Sequence, residues 1–411
     1  MWSFEVNLLS ALVVAAWANL VLWLVAALLT VRGLRRQRPI AVSAAAVKLR
    51  AEDAPFVSVL VPARNEEGRV LSACLRSILA QDYGRFEVVA VDDRSTDGTG
   101  SILHAIERAD ARLTVIDGQE PPRGWLGKPH ALQQALDRAQ GEWVLATDAD
   151  MIFEGAALRT AIAHALEHRY DALTMIPHII CLTFWERVFM PIFGWFMVMV
   201  APVERVNNPR ARGAMGVGGF FLIRRAWLRK VGEYGALRAE VAEDLRLAEL
   251  LKDAGARLRI EYAPQLISTR MQPTFGEIWE GFTKNLFAGA KFNLFWTIAG
   301  GIGILLFTVA PVLVAVLCAL ALWIGAAGEW QQLLWPSLLV WAIEVATFAI
   351  INFSWSVPVA YALTVPLGHA LFVAILFNSA FRIATGSGVT WKGRRLYERA
   401  SGVRPPRGRR S

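Results

Sequence analysis

Two stretches almost without charge bracket this chain, and they limit its architecture more than any motif does. Residues 7–31 (NLLSALVVAAWANLVLWLVAALLTV) hold no acidic or basic side chain, and a helix needs about 20 apolar residues to cross the hydrocarbon core of a bilayer. Residues 294–381 hold no lysine or arginine, and Glu329 and Glu344 are their only carboxylates. Residues 50–180, between the two, read like an ordinary soluble domain. The hydrophobic fraction of 55% over 411 residues agrees with a chain partly embedded in lipid. A cleaved signal peptide is the rival reading of 7–31. Its N-terminal flank carries Glu5 instead of a basic cluster, and the arginines follow it, so it reads as an uncleaved anchor with residue 32 onward in the cytoplasm.

The net charge of +8 does not point to nucleic acid. The basic residues gather at Arg32 to Arg50 and Arg382 to Arg410, each beside an apolar run. That is the placement expected of cytoplasmic membrane flanks, and no aromatic-plus-basic module accompanies it. Cys74, Cys181 and Cys318 stand far apart with no metal-ligand spacing, and fit small buried apolar residues in a reducing compartment.

The expected division is therefore an anchor over 1–31, a basic linker over 32–55, an α/β domain over 56–293, a membrane block over 294–381 and a basic tail over 382–411. Within the α/β domain, 184–203 (FWERVFMPIFGWFMVMVAPV) is apolar but interrupted by Pro191 and Gly194. A crossing there would split one domain across the bilayer, so the segment is expected to lie at the interface, with a buried core helix as the alternative. The membrane block divides most simply into spans near 303–325, 333–353 and 357–381. Three crossings would strand the arginine-rich tail outside, so an even number is expected. Glu344 should face other helices or water.

From residue 56 the texture alternates. FVSVLVPA reads as a strand, 69–81 as a helix, FEVVAVDD as a second strand, 101–109 as a helix, LTVID as a third strand, 128–139 as a helix and EWVLATDAD as a fourth strand. Such alternation specifies a parallel sheet covered by helices on both faces. Ligands bind such sheets at the carboxyl ends of the strands, where this chain places acids.

Five groups of residues carry the chemistry. The loop after the first strand, Pro62 to Glu67, offers Arg64 and Glu66 at a strand end, with no GxGxxG to suggest a dinucleotide. The adjacent carboxylates Asp92 and Asp93 repel each other unless water, a metal or donors such as a base imide or ribose diol offset them; Ser95 or Asp97 would cap the next helix. Asp148 and Asp150 form an Asp-x-Asp suited to a hard divalent cation such as Mg²⁺ together with substrate phosphate. Lys128 opens a helix, where an ammonium and the helix N-terminus both favour phosphate. Glu243 and Asp244 precede a helical run and suit either a dipole partner or a general base.

Taken in order, VSVLVPARNEE, VVAVDDRSTDGT, TDAD, GVGGFFLIRR and AEDLRLAELLKDAG make residues 56–290 resemble the family 2 glycosyltransferases, whose catalytic domain is the mostly parallel, Rossmann-like GT-A fold. The resemblance implies a nucleotide-sugar donor, with Asp93 on the base, Asp148 on the ribose, Asp150 on a divalent metal (Mg²⁺ or Mn²⁺) and diphosphate, and Asp244 as catalytic base. Gly216 to Gly219, including Gly218 and Gly219, would line the acceptor side. The anchor, the GWLGK segment and the C-terminal apolar block look like the branch containing hopene-associated, carotenoid and ceramide glycosyltransferases, which implies a lipid acceptor. The Gln-x-x-Arg-Trp motif of processive polysaccharide synthases is missing, so a long-chain polymerase is not expected. Trp279, Lys284 and Asn285 would close over the diphosphate instead. The alternatives are transfer to a polyprenyl phosphate, or a non-catalytic binding protein that keeps the fold.

Overall fold

The structure, a computed structural model, describes residues 8–41, 46, 49–50, 52–211, 213–326 and 328–397. The N-terminal seven residues of the expected anchor, part of the linker, and the tail after Tyr397 lie outside these. The chain forms two compact units. One contains Arg38–Ile180, Val198–Gln272 and the segment from Arg382. The other contains the chain up to Gln37, Cys181–Met197 and Pro273–Phe381.

The first unit is built on strands β1 (Val57–Ala63), β2 (Phe86–Asp92), β3 (Leu113–Asp117), β4 (Trp143–Ala146), β5 (Met151–Phe153), β6 (Ala172–Ile176), β7 (His178–Ile179), β8 (Phe221–Arg224), β9 (Leu258–Tyr262) and β10 (Ile267–Thr269). Seven of them make one sheet in the order β3-β2-β1-β4-β8-β6-β9. All neighbours are parallel except β8, which runs antiparallel to both β4 and β6. The sheet is GT-A-like and mostly parallel. Its central strands read as near-continuous apolar runs because both faces are covered. Val57, Val59 and Val61 enter one core with Leu71, Cys74, Leu75 and Ile78 of the Leu71–Leu79 helix, whose apolar positions recur at helical spacing. Leu60 enters the opposite core with Ala131, Leu132, Ala135 and Leu136 of the Gly127–Arg138 helix. The chain winds outward from β1 to β3 and then returns to the other side of β1 as β4. This reversal opens a crevice at the carboxyl ends of β1 and β4, the usual ligand position in a sheet of this kind.

The second unit is helical. Leu8–Arg36, Leu294–Trp323, Gln331–Ser354 and Val359–Thr385 are each long and apolar enough to cross a membrane. Leu294–Trp323 contains a π turn at Leu305–Val309, where the Phe307 carbonyl accepts from Trp23 Nε1 at 2.9 Å and Asn19 Nδ2 at 3.1 Å. Trp23 stacks between Phe307 (4.8 Å) and Trp195 (5.8 Å). Glu344 is fully buried with its Oε1 3.1 Å from His369 Nδ1, facing a neighbouring helix as its cost in lipid requires.

Two boundaries differ from the sequence reading. The Phe275–Gly289 helix belongs to the apolar unit, so the α/β unit stops at Gln272 and not at 293. Segment 184–203 forms an unbroken helix over Phe184–Val200, and its residues up to Met197 join the apolar unit. Val188, Phe189, Ile192 and Trp195 are buried there, and Trp195 Nε1 donates to Thr30 Oγ1 at 2.9 Å. Pro191 is accommodated inside the helix, and Gly194 lets Trp355 approach so closely that a Cβ would stand 2.1 Å from its ring. That arrangement is the buried-helix alternative, and it follows from the apolar partners supplied by distant segments.

The Val365–Thr385 helix is held against several segments of this unit. Gly368 meets Val188 and Ile192, His369 meets Glu344 and Phe348, Phe377 meets Gly301, and Ser379 donates to the Thr283 carbonyl. Gly301 lies about two turns after Leu294, and Glu344 and Phe348 lie within the last three turns of Gln331–Ser354.

Candidate active site

At the carboxyl end of β1 the chain turns through Asn65, whose φ of 49° is in the left-handed region that Asn tolerates. The loop is tied to the loop after β2. Arg64 Nη1 donates to the carbonyls of Asp93 and Arg94, both at 2.7 Å, and Glu66 N donates to Thr99 Oγ1 at 2.7 Å. Asn65 N donates to Ser95 Oγ at 3.0 Å, and Glu67 N to Asp97 Oδ2 at 3.1 Å. Pro62 sits opposite Val91 in the β1–β2 register. Asp97 Oδ1 accepts from Thr99 N at 3.0 Å, one residue before the cap position, which is Gly98 and not the Ser95 or Asp97 expected from sequence.

The two adjacent carboxylates divide. Asp92 Oδ1 accepts from Ser95 N at 2.9 Å, and Asp92 Oδ2 lies 2.7 Å from where a Cβ of Gly100 would be. Its carboxylate is thus turned toward the loop and helix start, a structural use that differs from the donor-binding role given to it above. Asp93 is buried and points toward Gly127, where a Cβ would come within 2.6 Å of its Oδ2. Such a close approach to a helix start is possible only with glycine.

A second cluster forms around Gly218. Lys128 Nζ stands 2.6 Å from Asp148 Oδ1 and 2.6 Å from Glu243 Oε1. Gly218 N donates to Asp244 Oδ2 at 2.8 Å, while Leu245 N donates to Asp244 Oδ1 at 2.7 Å. A Cβ at Gly218 would stand 3.2 Å from Asp244 Oδ2 and 3.3 Å from both Asp148 Oδ2 and Lys128 Nζ. Asp148 and Asp244, from different ends of the sequence, thus face each other across one bare backbone position. Gly216 is held more tightly, with a Cβ there only 2.3 Å from the Asp244 carbonyl, and Gly219 packs on Met151. Thr147 Oγ1 donates to the Gly219 carbonyl at 2.7 Å, joining β4 to this loop.

The electrostatics follow from crowding. Burial, and then Asp148 and Glu66, push the Asp150 carboxyl up to about 7 against the opposing pull of Lys392 and Arg69. Burial and Glu243 raise Asp244 to about 6, with Lys128 holding it down. Burial alone would depress the Lys128 ammonium, but Asp148, Glu243 and Asp244 outweigh that and raise it well above its ordinary value. Glu66 Oε2 is buried without a hydrogen-bond partner. Oxygen donors so crowded that one resists ionisation, with a buried carboxylate oxygen unmet, suit a hard divalent cation such as Mg²⁺ or Mn²⁺.

Several groups here were not picked out by sequence reasoning. Tyr234 brings a buried hydroxyl without a hydrogen-bond partner into the cavity lined by Lys128, Glu243 and Asp244. Lys392 pairs with Glu66, and Arg394 pairs with Asp93. Both come from strands β11 (Val389–Trp391) and β12 (Arg394–Leu396) and their turn. Trp279, Lys284 and Asn285 belong to the apolar unit, on the Phe275–Gly289 helix, where Trp279 packs 6.0 Å from Phe275.

Residues 58–232 match the model of the family described as glycosyl transferase family 2. A 4,4'-diaponeurosporenoate glycosyltransferase of Staphylococcus aureus is 26% identical over 242 residues, covering 57% of this chain and 61% of that protein. The chain thus spans about three-fifths of the length of the curated relative it matches. Among solved structures, the mannosyltransferase PcManGT from Pyrobaculum calidifontis, in complex with GDP-Man and Mn²⁺, aligns with a TM-score of 0.51 at 20% identity. That alignment covers 83% of this chain and 99% of that one, and it is a likeness of fold.

Proposed function

We propose, from the match of residues 58–232 to the family 2 glycosyltransferase model, that this protein transfers a sugar from a nucleotide-diphosphate sugar, a UDP-sugar first, to a hydroxyl of a membrane lipid with inversion. The observation that carries this reading is the meeting of Lys128, Asp148, Glu243 and Asp244 around Gly218. It sets the donor-side Asp-x-Asp against a carboxylate whose raised affinity for protons suits a general base.

In the proposed reaction Asp244 takes the proton of the acceptor hydroxyl. The freed oxygen forms a bond to the anomeric carbon as the bond from that carbon to the donor's phosphate oxygen breaks, and the nucleoside diphosphate departs. One displacement inverts the anomeric configuration. The Gly218 and Leu245 amides fix both oxygens of Asp244, so its orientation is set before substrate arrives. Lys128 pairs with Asp148 and Glu243 and stabilises the ionised base. Asp150 and Asp148 would hold a Mg²⁺ or Mn²⁺, which when bound neutralises the charge of the departing diphosphate. Asp93, at the start of the Gly127–Arg138 helix, is on the base side of the donor.

The lipid acceptor is supported by the four apolar helices and by the lipid-like substrate in the printed name of the relative. The location is the cytoplasmic membrane with the α/β unit inside. An even number of crossings for Pro273–Phe381 is supported by the segments on both sides of it belonging to the same compact unit. Leu294–Trp323, Gln331–Ser354 and Val359–Thr385 are the candidates for those crossings. This arrangement places both arginine-rich flanks inside. The test of function is release of nucleoside diphosphate from labelled nucleotide sugars by the detergent-solubilised protein with divalent metal and lipid extract. Product analysis names the acceptor, and release no greater than that of an Asp150→Ala variant counts against the reading.

A further inference from the structure

The hairpin of β11 and β12 lies about 300 residues along the chain from the loops it touches, and it belongs to the α/β unit. Its two strands pair antiparallel through Thr390–Arg395 and Trp391–Arg394, and its turn residues Lys392 and Gly393 have φ of 44° and 77°. A turn with both central residues at positive φ matches the twist of a tight hairpin, and Gly393 takes the second position without strain. The hairpin presents two cations to the strand-end loops. The Lys392 ammonium lies on the buried Glu66 carboxylate. Arg394 grips Asp93 with both arms, Nη1 to Oδ2 at 2.6 Å and Nη2 to Oδ1 at 3.0 Å, and Nη2 also reaches the Asp93 carbonyl at 2.9 Å. Arg64 Nε donates back to the Lys392 carbonyl at 3.3 Å.

These pairs neutralise two of the donor-side carboxylates before any donor binds. A nucleoside diphosphate brings further negative charge to a crevice already lined by Asp93, Asp148, Asp150 and Glu66. Besides Lys128, the cations that face this acidic wall are Arg64, Arg69 and the two on the hairpin, and of these Arg394 and Lys392 hold the Asp93 and Glu66 carboxylates most closely. A guanidinium fork fits phosphate oxygens as well as it fits a carboxylate. When Arg394 passes from Asp93 to a phosphate, the Asp93 carboxylate becomes free to accept from a base N–H. We propose that the C-terminal hairpin is a wall of the donor site, with Lys392 and Arg394 binding the donor's diphosphate. The proposal rests on the nucleotide-diphosphate reading above, and it assigns to 389–396 the diphosphate contact that sequence reasoning sought in Trp279, Lys284 and Asn285.

The test is binding of UDP, GDP and uridine to the solubilised full chain with Mn²⁺, followed by calorimetry for the wild type, Lys392→Met, Arg394→Gln and Arg395→Gln. Arg395 is exposed on the same hairpin and serves as the charge control. Loss of a charge-assisted contact should weaken the better-bound diphosphate about 10- to 100-fold in Lys392→Met and Arg394→Gln. Arg395→Gln should bind as the wild type does, and uridine, which lacks the diphosphate, should bind Arg394→Gln at least as well as the wild type. Melting temperatures identify variants that lose structure, and Lys392→Arg should restore most of the affinity. Wild-type binding that Lys392→Met and Arg394→Gln leave unchanged or tighten overturns the hairpin assignment alone. A wild type that binds neither diphosphate overturns the donor reading beneath it.

Discussion

Replacing Lys128 with methionine removes one cation from between two carboxylates and should move a catalytic pH limb. The Lys128 ammonium is 2.6 Å from Asp148 and 2.6 Å from Glu243, and it also lowers the Asp244 carboxyl. At an effective dielectric of about 20, each contact of that length has a gross attraction of about 6 kcal/mol. Lys128 is 37% exposed and Asp148 38%, so most of this is lost to solvent screening and desolvation. A net loss of about 1–3 kcal/mol in stability is expected, read as a lower melting temperature.

The catalytic effect has a definite sign. Asp244, already raised to about 6, must be deprotonated to act as a base, so kcat/KM of the wild type should rise through about pH 6 and level off above it. Without Lys128 the burial and the repulsion from Glu243 act unopposed. The limb should therefore move upward, by about one pH unit if about 1.4 kcal/mol of the attraction reaches Asp244. The assay is the pH dependence of kcat/KM for nucleotide-sugar turnover, with Lys128→Arg as the charge-preserving comparison. A limb that stays in place or moves to lower pH in Lys128→Met refutes the claim that this ammonium sets the base.

Three other outcomes follow. Asp244→Asn should lower kcat about 10²- to 10⁴-fold with a hydroxyl acceptor while leaving nucleotide binding intact; substantial turnover with polyprenyl phosphate would favour that acceptor instead. Gly216→Ala forces a Cβ to within 2.3 Å of the Asp244 carbonyl, a backbone atom that cannot swing aside. It should cost about 1–3 kcal/mol, seen as a fall of several degrees in melting temperature together with lost turnover, and wild-type behaviour would mean the loop is looser than described. Because Cys74, Cys181 and Cys318 are all buried, single cysteines report topology cleanly. Ala326→Cys should react with an impermeant thiol reagent from outside intact cells and Ser387→Cys only after lysis; outside labelling of Ser387→Cys contradicts an even number of crossings.

The strands that tip into acids were legible because a sheet covered on both faces demands runs such as VSVLVPA and FEVVAVD, and side chains at their carboxyl ends meet at the point where the strand order reverses. The division of labour between Asp92 and Asp93 was not legible. Adjacent carboxylates look alike in sequence, and the backbone of one turn sends Asp92 to Ser95 and Asp93 to the crevice. The hairpin was hidden for a different reason: its lysine and arginines have the placement of an ordinary cytoplasmic flank, although the Lys-Gly turn between Val389–Trp391 and Arg394–Leu396 did carry a hairpin signal. Composition also does not distinguish a helix that crosses a bilayer from one that lies across a bundle end.

Sugar transfer from a nucleotide-diphosphate donor to a membrane lipid is proposed for Lys128, Asp148, Glu243 and Asp244 around Gly218, with Asp150 of the same Asp-x-Asp. The most direct measurement incubates the purified full chain with labelled UDP- and GDP-sugars, Mn²⁺ and a lipid extract, and follows both free nucleoside diphosphate and organic-phase label by mass spectrometry. The account predicts equal amounts of nucleoside diphosphate and glycosylated lipid, with both lost in Asp150→Ala and Asp244→Asn. Release at the level of those two variants, or label that never enters lipid, contradicts it.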